Sequence, residues 1–112
     1  MKIMIVEDNE PMREVIKTVI GDCADDVIEC VDGSDAVASY GAAKPDWVLM
    51  DIQMKIMDGI TATKNITKKF PQARILIVTD YGSMTLRKAA QDAGACGYVL
   101  KENLHEIRNY VQ

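Results

Sequence analysis

The chain has 112 residues, of which 13 are basic and 17 acidic, for a net charge of −4. That length suits a single domain over residues 1–112 with room for a core, the mild acidity excludes a basic nucleic-acid surface, and no apolar run approaches the length of a membrane-spanning helix. Met1-Lys2 leads directly into an apolar run, so a signal peptide is not expected and a cytoplasmic location is the default.

Strand and helix signals alternate five times. Ile3-Met4-Ile5-Val6 predicts a strand over about residues 2–7. Met12, Val15, Ile16, Val19 and Ile20 then follow helical spacing, and Pro11 suits the first turn, where a missing N–H costs nothing. A second strand is expected over about 27–31, then a helix from Ser34 to Ala43, bracketed by Gly33 and Lys44-Pro45. Trp47-Val48-Leu49-Met50 marks a third strand over about 46–51. The third helix runs from Gly59 to Lys69, with Ala62, Ile66 and Phe70 on one side. Ile75-Leu76-Ile77-Val78 marks a fourth strand over about 74–79. The fourth helix starts at Ser83 as N-cap, buries Leu86, Ala89, Ala90 and Ala93, and stops at Gly94. Tyr98-Val99-Leu100 closes a fifth strand over about 96–100. A last helix from near Asn103 turns Leu104, Ile107 and Val111 inward. It stops after about two turns, so the natural chain is expected to continue. Such alternation implies an α/β fold: a parallel sheet with right-handed crossovers and helices on both faces.

The apolar runs end in chemically useful residues. The first ends in Glu7-Asp8, the third in Asp51, the fourth in Thr79 and the fifth in Lys101. Ligands of open α/β sheets bind beyond the carboxyl ends of the strands. Acids, a hydroxyl and one amine in that place suit a divalent metal and a phosphoryl group. Each residue alone has an ordinary reading. Asp8 would be a helix cap or solvated acid, Lys101 a solvated charge, Tyr98 half-buried packing and Thr79 normal strand chemistry. Their convergence carries the functional reading. Met54 and Met57 read as packing residues and His105 as a surface residue. Cys23, Cys30 and Cys96 are odd in number and lack CxxC spacing, so they read as buried reduced thiols.

Taken together, these residues closely resemble the receiver domain of two-component response regulators. The resemblance covers the whole chain. Glu7-Asp8 matches the acidic pair after the first strand, and Asp51, followed by Met54 and Met57-Asp58-Gly59, matches the phospho-acceptor and its loop. Thr79 matches the hydroxyl after the fourth strand, Lys101 the lysine after the fifth, and Tyr98 the switch aromatic before it. The segment from Gly94 to Lys101 looks most like receivers of LuxR-type DNA-binding regulators.

The resemblance implies a flavodoxin-like three-layer sandwich of five βα units, with strand order 2-1-3-4-5. It implies Mg²⁺ held by Asp8, Asp51 and the backbone carbonyl of Gln53, with Glu7 acting mainly through water. Mg²⁺ prefers such oxygen ligands in octahedral geometry. It also implies phosphorylation of Asp51 by a sensor histidine kinase, with Lys101 and Thr79 holding phosphoryl oxygens. Thr79 and Tyr98 would then switch the face of the fourth helix, fifth strand and fifth helix. Such a protein is a regulatory switch that catalyses only its own phosphorylation and dephosphorylation, with transcription as the expected output. A homodimer through that face is an expected partner. Direct nucleic-acid contact by this domain is not expected, nor is contact with a membrane. Met84, Arg87, Lys88, Gln91, Tyr98, His105 and Arg108 are the candidate contact residues. Arg13 and Lys17 on the first helix are a second set, free to bind a kinase. Trp47 or Tyr98 should sense the change.

Three positions depart from the family pattern. Lys55 and Glu102 stand where proline is common, and Asp80 stands where a small residue is usual. The carboxylate of Asp80 would repel a phosphoryl group if it pointed inward. Other readings are weaker. An aspartyl phosphatase needs a second Asp two residues after the nucleophile, where this chain has Gln53. A flavoprotein needs a phosphate loop that Glu7-Asp8 would repel. A degenerate receiver used only for dimerisation conflicts with the intact set of site residues.

Overall fold

The computed structural model describes residues 1–111. Five strands, β1 (Lys2–Val6), β2 (Asp26–Cys30), β3 (Trp47–Met50), β4 (Ile75–Thr79) and β5 (Gly97–Leu100), alternate with helices α1 (Glu10–Ile20), α2 (Gly33–Ala43), α3 (Gly59–Lys69) and α4 (Met84–Ala93). A 3₁₀ segment (Lys101–Ile107) and α5 (Arg108–Val111) follow β5. All strand pairs are parallel, in the order β2-β1-β3-β4-β5. This is the expected flavodoxin-like fold.

Side chains alternate across the central strands and feed two cores. Met4, Val6, Val48, Met50, Ile75 and Ile77 face α2, α3 and α4, where Ala36, Tyr40, Ala62, Ile66 and Ala90 pack. Ile3, Ile5, Leu49, Leu76, Val78 and Val99 face the other way, toward Ile16 and Ile20 of α1 and Ile107 and Val111 at the end of the chain. β1, β3 and β4 are therefore apolar on both faces, which is why they read as continuous runs.

Local chemistry marks the helix ends. Asn9, Asp32, Asp58 and Ser83 each accept a backbone N–H at an N-terminus. Gly94 ends α4 in the left-handed region at φ 105°, and a Cβ there would lie 2.9 Å from the Thr67 side chain.

Several expectations need correction. Val15 lies at the margin of the α1 stripe and is exposed, whereas Ile16 and Ile20 are buried. Cys96 precedes β5 and is exposed, so only Cys30 is a fully buried thiol. Cys23 is half-buried. The last helix starts at Lys101 as a 3₁₀ turn, and Asn103 at φ −128°, ψ 45° breaks it before α5. The Lys101–Glu102 peptide is trans without proline. Arg108 is not free: its guanidinium forks onto Asp22 at 2.6 and 3.1 Å and donates to the Val19 carbonyl, tying α5 to α1. Arg13 and Lys17 are likewise engaged with Glu29. Trp47 stands at the opposite end of β3 from Asp51, against Arg74 and Tyr110, roughly 13 Å along the strand. Tyr98 is the better-placed reporter of the site.

Gly94→Ala is expected to lower the unfolding free energy by about 1–2 kcal/mol, through strain at positive φ and the Thr67 contact. Urea denaturation measures it, and a neutral result would mean that α4 can end another way.

Candidate functional site

The parallel register assembles the site. Val6 pairs with both Cys30 and Met50, so Glu7 and Asp51 emerge side by side. The chain leaves β1 toward β2 on one side and β3 on the other, which makes this the topological switch point where such sheets bind ligands. A cleft of about 480 Å³ opens there, lined by Glu7, Asp8, Asp51, Gln53, Tyr81 and Lys101, among others.

Asp51 is buried, and its N–H is held by the Val6 carbonyl at 3.0 Å. A Cβ on Gly59 would sit 1.8 Å from the Asp51 carbonyl oxygen, so only glycine lets α3 begin against it. The intervening loop is fastened by Asp32. Its carboxylate accepts the N–H groups of Ile56 (2.9 Å), Met57 (3.1 Å) and Ser34 (2.9 Å) and the Ser34 hydroxyl (2.8 Å). The loop thus gains from a side chain on β2–α2 the order that proline at position 55 would have supplied. Burial pushes the Asp32 carboxyl upward, but these bonds outweigh it and hold the group at about 2.

Glu7 is also buried. Its Oε2 accepts the Asn9 N–H at 3.1 Å, and Asn9 in turn caps α1. Lys101 Nζ lies 2.6 Å from Glu7 Oε1 and 3.5 Å from Asp51 Oδ1. No hydrogen bond of ordinary geometry satisfies Oε1. Asp8 is exposed beside them. Glu7, Asp8 and Asp51 each offer an oxygen within 4.8 Å of the others. Three carboxylate oxygens converging at one end of the sheet fit a hard divalent cation such as Mg²⁺.

The electrostatics are unbalanced. Burial, and next the Glu7 carboxylate, push Asp51 from its ordinary 3.8 to about 6, while Lys101 pulls the other way. Burial also opposes the Lys101 charge, yet Glu7, Asp51 and Asp80 together hold its pKa above the ordinary value.

A family model described as the response regulator receiver domain matches residues 3–112. The chain belongs to that family. The receiver is 36% identical over 100 residues to the chemotaxis protein CheY of Halobacterium salinarum, covering 89% of this chain and 83% of that protein. It is 36% identical over 103 residues to response regulator protein VraR of Staphylococcus aureus, covering 90% of this chain but 49% of VraR. The chain therefore spans about half the length of VraR. A solved LuxR-family two-component response regulator from Aurantimonas sp. SI85-9A1 matches with a TM-score of 0.89 at 32% identity, over 96% of this chain and 79% of that one.

In this receiver, Glu7, Asp8, Asp51, Gln53 and Lys101 share the cleft. Thr79 is fully buried at the end of β4 and does not line it; its hydroxyl accepts the Tyr81 N–H at 3.4 Å. Tyr98 lies in a neighbouring groove with Arg87 over its ring at 4.7 Å, and its hydroxyl donates to the Tyr81 carbonyl. Tyr81 also donates its own hydroxyl to Gln53 Oε1 at 3.2 Å, spanning the mouth. Asp32 and Asn9 went unnoticed in the sequence as supports of the site. Asp32-Gly33-Ser34 before a helix is an N-cap pattern that could have revealed the first.

Protonated Asp51 suits the fold better than the carboxylate. The folded value of about 6 exceeds the unfolded 3.8, so that stability is full below 3.8 and is lost as pH rises through 6. Asp51→Asn should therefore unfold about 1–2 kcal/mol less readily at neutral pH. The gain should shrink in acid, and a variant less stable than the native chain at neutral pH would contradict the buried repulsion. Asp32 has the opposite sign. Its depressed value gives stability that is present above 3.8 and lost as pH falls through about 2. Asp32→Ala should cost about 1–3 kcal/mol at neutral pH, and calorimetry should show the deficit closing in strong acid.

Proposed function

We infer that this receiver accepts a phosphoryl group on Asp51 from a sensor histidine kinase, in a Mg²⁺-dependent reaction, and relays it to the α4–β5–α5 face. The observation that carries the reading is the buried Asp51 carboxylate, 3.5 Å from the Lys101 ammonium and grouped with Glu7 and Asp8. Receiver domains as a family take phosphoryl groups from sensor kinases and bind Mg²⁺ at an acidic pocket.

Asp51 supplies the nucleophilic oxygen. As its new bond to phosphorus forms, the bond to the donor breaks and the donor leaves with the electron pair. Glu7, Asp8, Asp51 and the Gln53 carbonyl are the groups that would hold Mg²⁺, whose charge offsets repulsion between carboxylate and phosphoryl group. Lys101, already aimed at Asp51, pairs with a phosphoryl oxygen. The Thr79 hydroxyl turns from the Tyr81 N–H toward another. Because Tyr81 also receives the Tyr98 hydroxyl, that movement reaches the Tyr98 ring directly.

The output surface is narrower than the sequence suggests. Met84, Lys88, Gln91 and His105 are exposed on it, Arg87 lies over Tyr98, and Arg108 belongs to the α1 contact. A second receiver or an output domain would dock there. The LuxR-family neighbour and VraR favour transcription as the output, in the cytoplasm, with DNA contact left to other residues than these. Residues 1–112 form one receiver domain, a switch that turns over only its own phosphoryl group.

Treatment with acetyl phosphate and Mg²⁺ should add one phosphate to the intact protein, seen by mass spectrometry. Chelator should abolish the adduct, and so should Asp51→Asn. Equal labelling of that variant would place the acceptor elsewhere.

A further inference from the structure

Asp80 follows directly after Thr79, and its side chain is 67% exposed at the cleft mouth. Its carboxylate lies 4.0 Å from Lys101 Nζ, an ammonium already shared by Glu7 at 2.6 Å and Asp51 at 3.5 Å. Asp80 does not belong to the carboxylate group that can close around a cation. Metal held by Glu7, Asp8 and Asp51 therefore leaves the Asp80 charge standing at the entrance. Of the other exposed charged residues lining the cleft, Asp8 belongs to the carboxylate group and Lys55 carries the opposite charge.

We propose that Asp80 is a specificity-determining residue that selects phosphodonors by charge, disfavouring small dianionic ones. This rests on the reading of Asp51 as acceptor. The transfer itself is ordinary: the Asp51 oxygen bonds to phosphorus while the bond to acetate breaks, and acetate leaves with the electron pair. Asp80 forms no bond in it. It acts on the approach, through repulsion of the donor and competition for Lys101. Repulsion grows with donor charge and weakens as salt screens an exposed group. Simple crowding would do neither.

The test compares the native protein with Asp80→Asn, which keeps the size of the side chain, and Asp80→Glu, which keeps its charge. Labelling rates at saturating Mg²⁺ are followed by mass spectrometry with acetyl phosphate, a dianion at neutral pH, and with phosphoramidate, a monoanion. Removing one exposed charge should speed acetyl phosphate labelling about three- to tenfold at low salt, and phosphoramidate labelling by roughly the square root of that factor. Added salt should shrink both gains, and Asp80→Glu should behave as the native chain. Equal acceleration of both donors, a gain that salt leaves untouched, or no gain at all overturns the proposal. Labelling of the native chain and of Asp80→Asn at Asp51, with equal rates, removes the role of Asp80 but leaves the acceptor standing. Absence of label from every form overturns the acceptor and the role of Asp80 together.

Discussion

The structure turns on one buried charge arrangement: Lys101 held between Glu7 and Asp51 at the carboxyl ends of β1, β3 and β5. Two carboxylates and one ammonium leave a net negative charge where water is largely excluded. Such groups are expensive to bury, and their attraction repays the cost only in part. Glu7 Oε1 has only the Lys101 ammonium, at 2.6 Å, to offset its burial. The rest of the fold can be understood as what makes this tolerable. β3 and β4 are buried along their whole length and β1 from Ile3 onward, and two cores clamp the sheet from both sides. The stability lies in those layers, and the site draws on it, as functional sites commonly do.

The supports around the trio are mostly backbone. Asp51 hangs from the Val6 carbonyl, Glu7 from the Cys30 carbonyl, and the Asn9 N–H fixes one Glu7 oxygen. Arg13 donates to the Glu7 carbonyl at 2.8 Å. Groups that would react are thereby set by strands and helix caps rather than by flexible side-chain contacts, which favours a rigid, pre-organised cleft.

Much of this was legible in the sequence because period and punctuation are local properties. Four of the five strands, all but β2, show as apolar runs, and the register of a parallel sheet then brings Glu7, Asp51 and Lys101 to one edge without further information. What could not be read depends on pairs distant along the chain. Arg108 meets Asp22 across 86 positions, and Asp32 meets Ile56 across 24. Arg13 and Lys17 on α1 looked free because Glu29 arrives from β2. Val15 failed for a subtler reason: it falls at the edge of an apolar arc, and only the width of the packed neighbour decides which edge residues are covered. Cys96 sits one residue outside a strand boundary, where sequence reading is least sharp.

Tyr81 is half-exposed, yet it joins three parts of the molecule. Its hydroxyl holds Gln53, its N–H meets Thr79, and its carbonyl receives Tyr98. A single residue is thus common to the cleft mouth and the groove beside α4. Under the proposed switch, linkage would run in both directions with equal size. Whatever free energy a filled cleft contributes to releasing Tyr98, a partner that captures Tyr98 contributes the same amount to filling the cleft. A partner docked on that proposed face would be, in that sense, a co-ligand of the acidic site, able to change its occupancy without touching it.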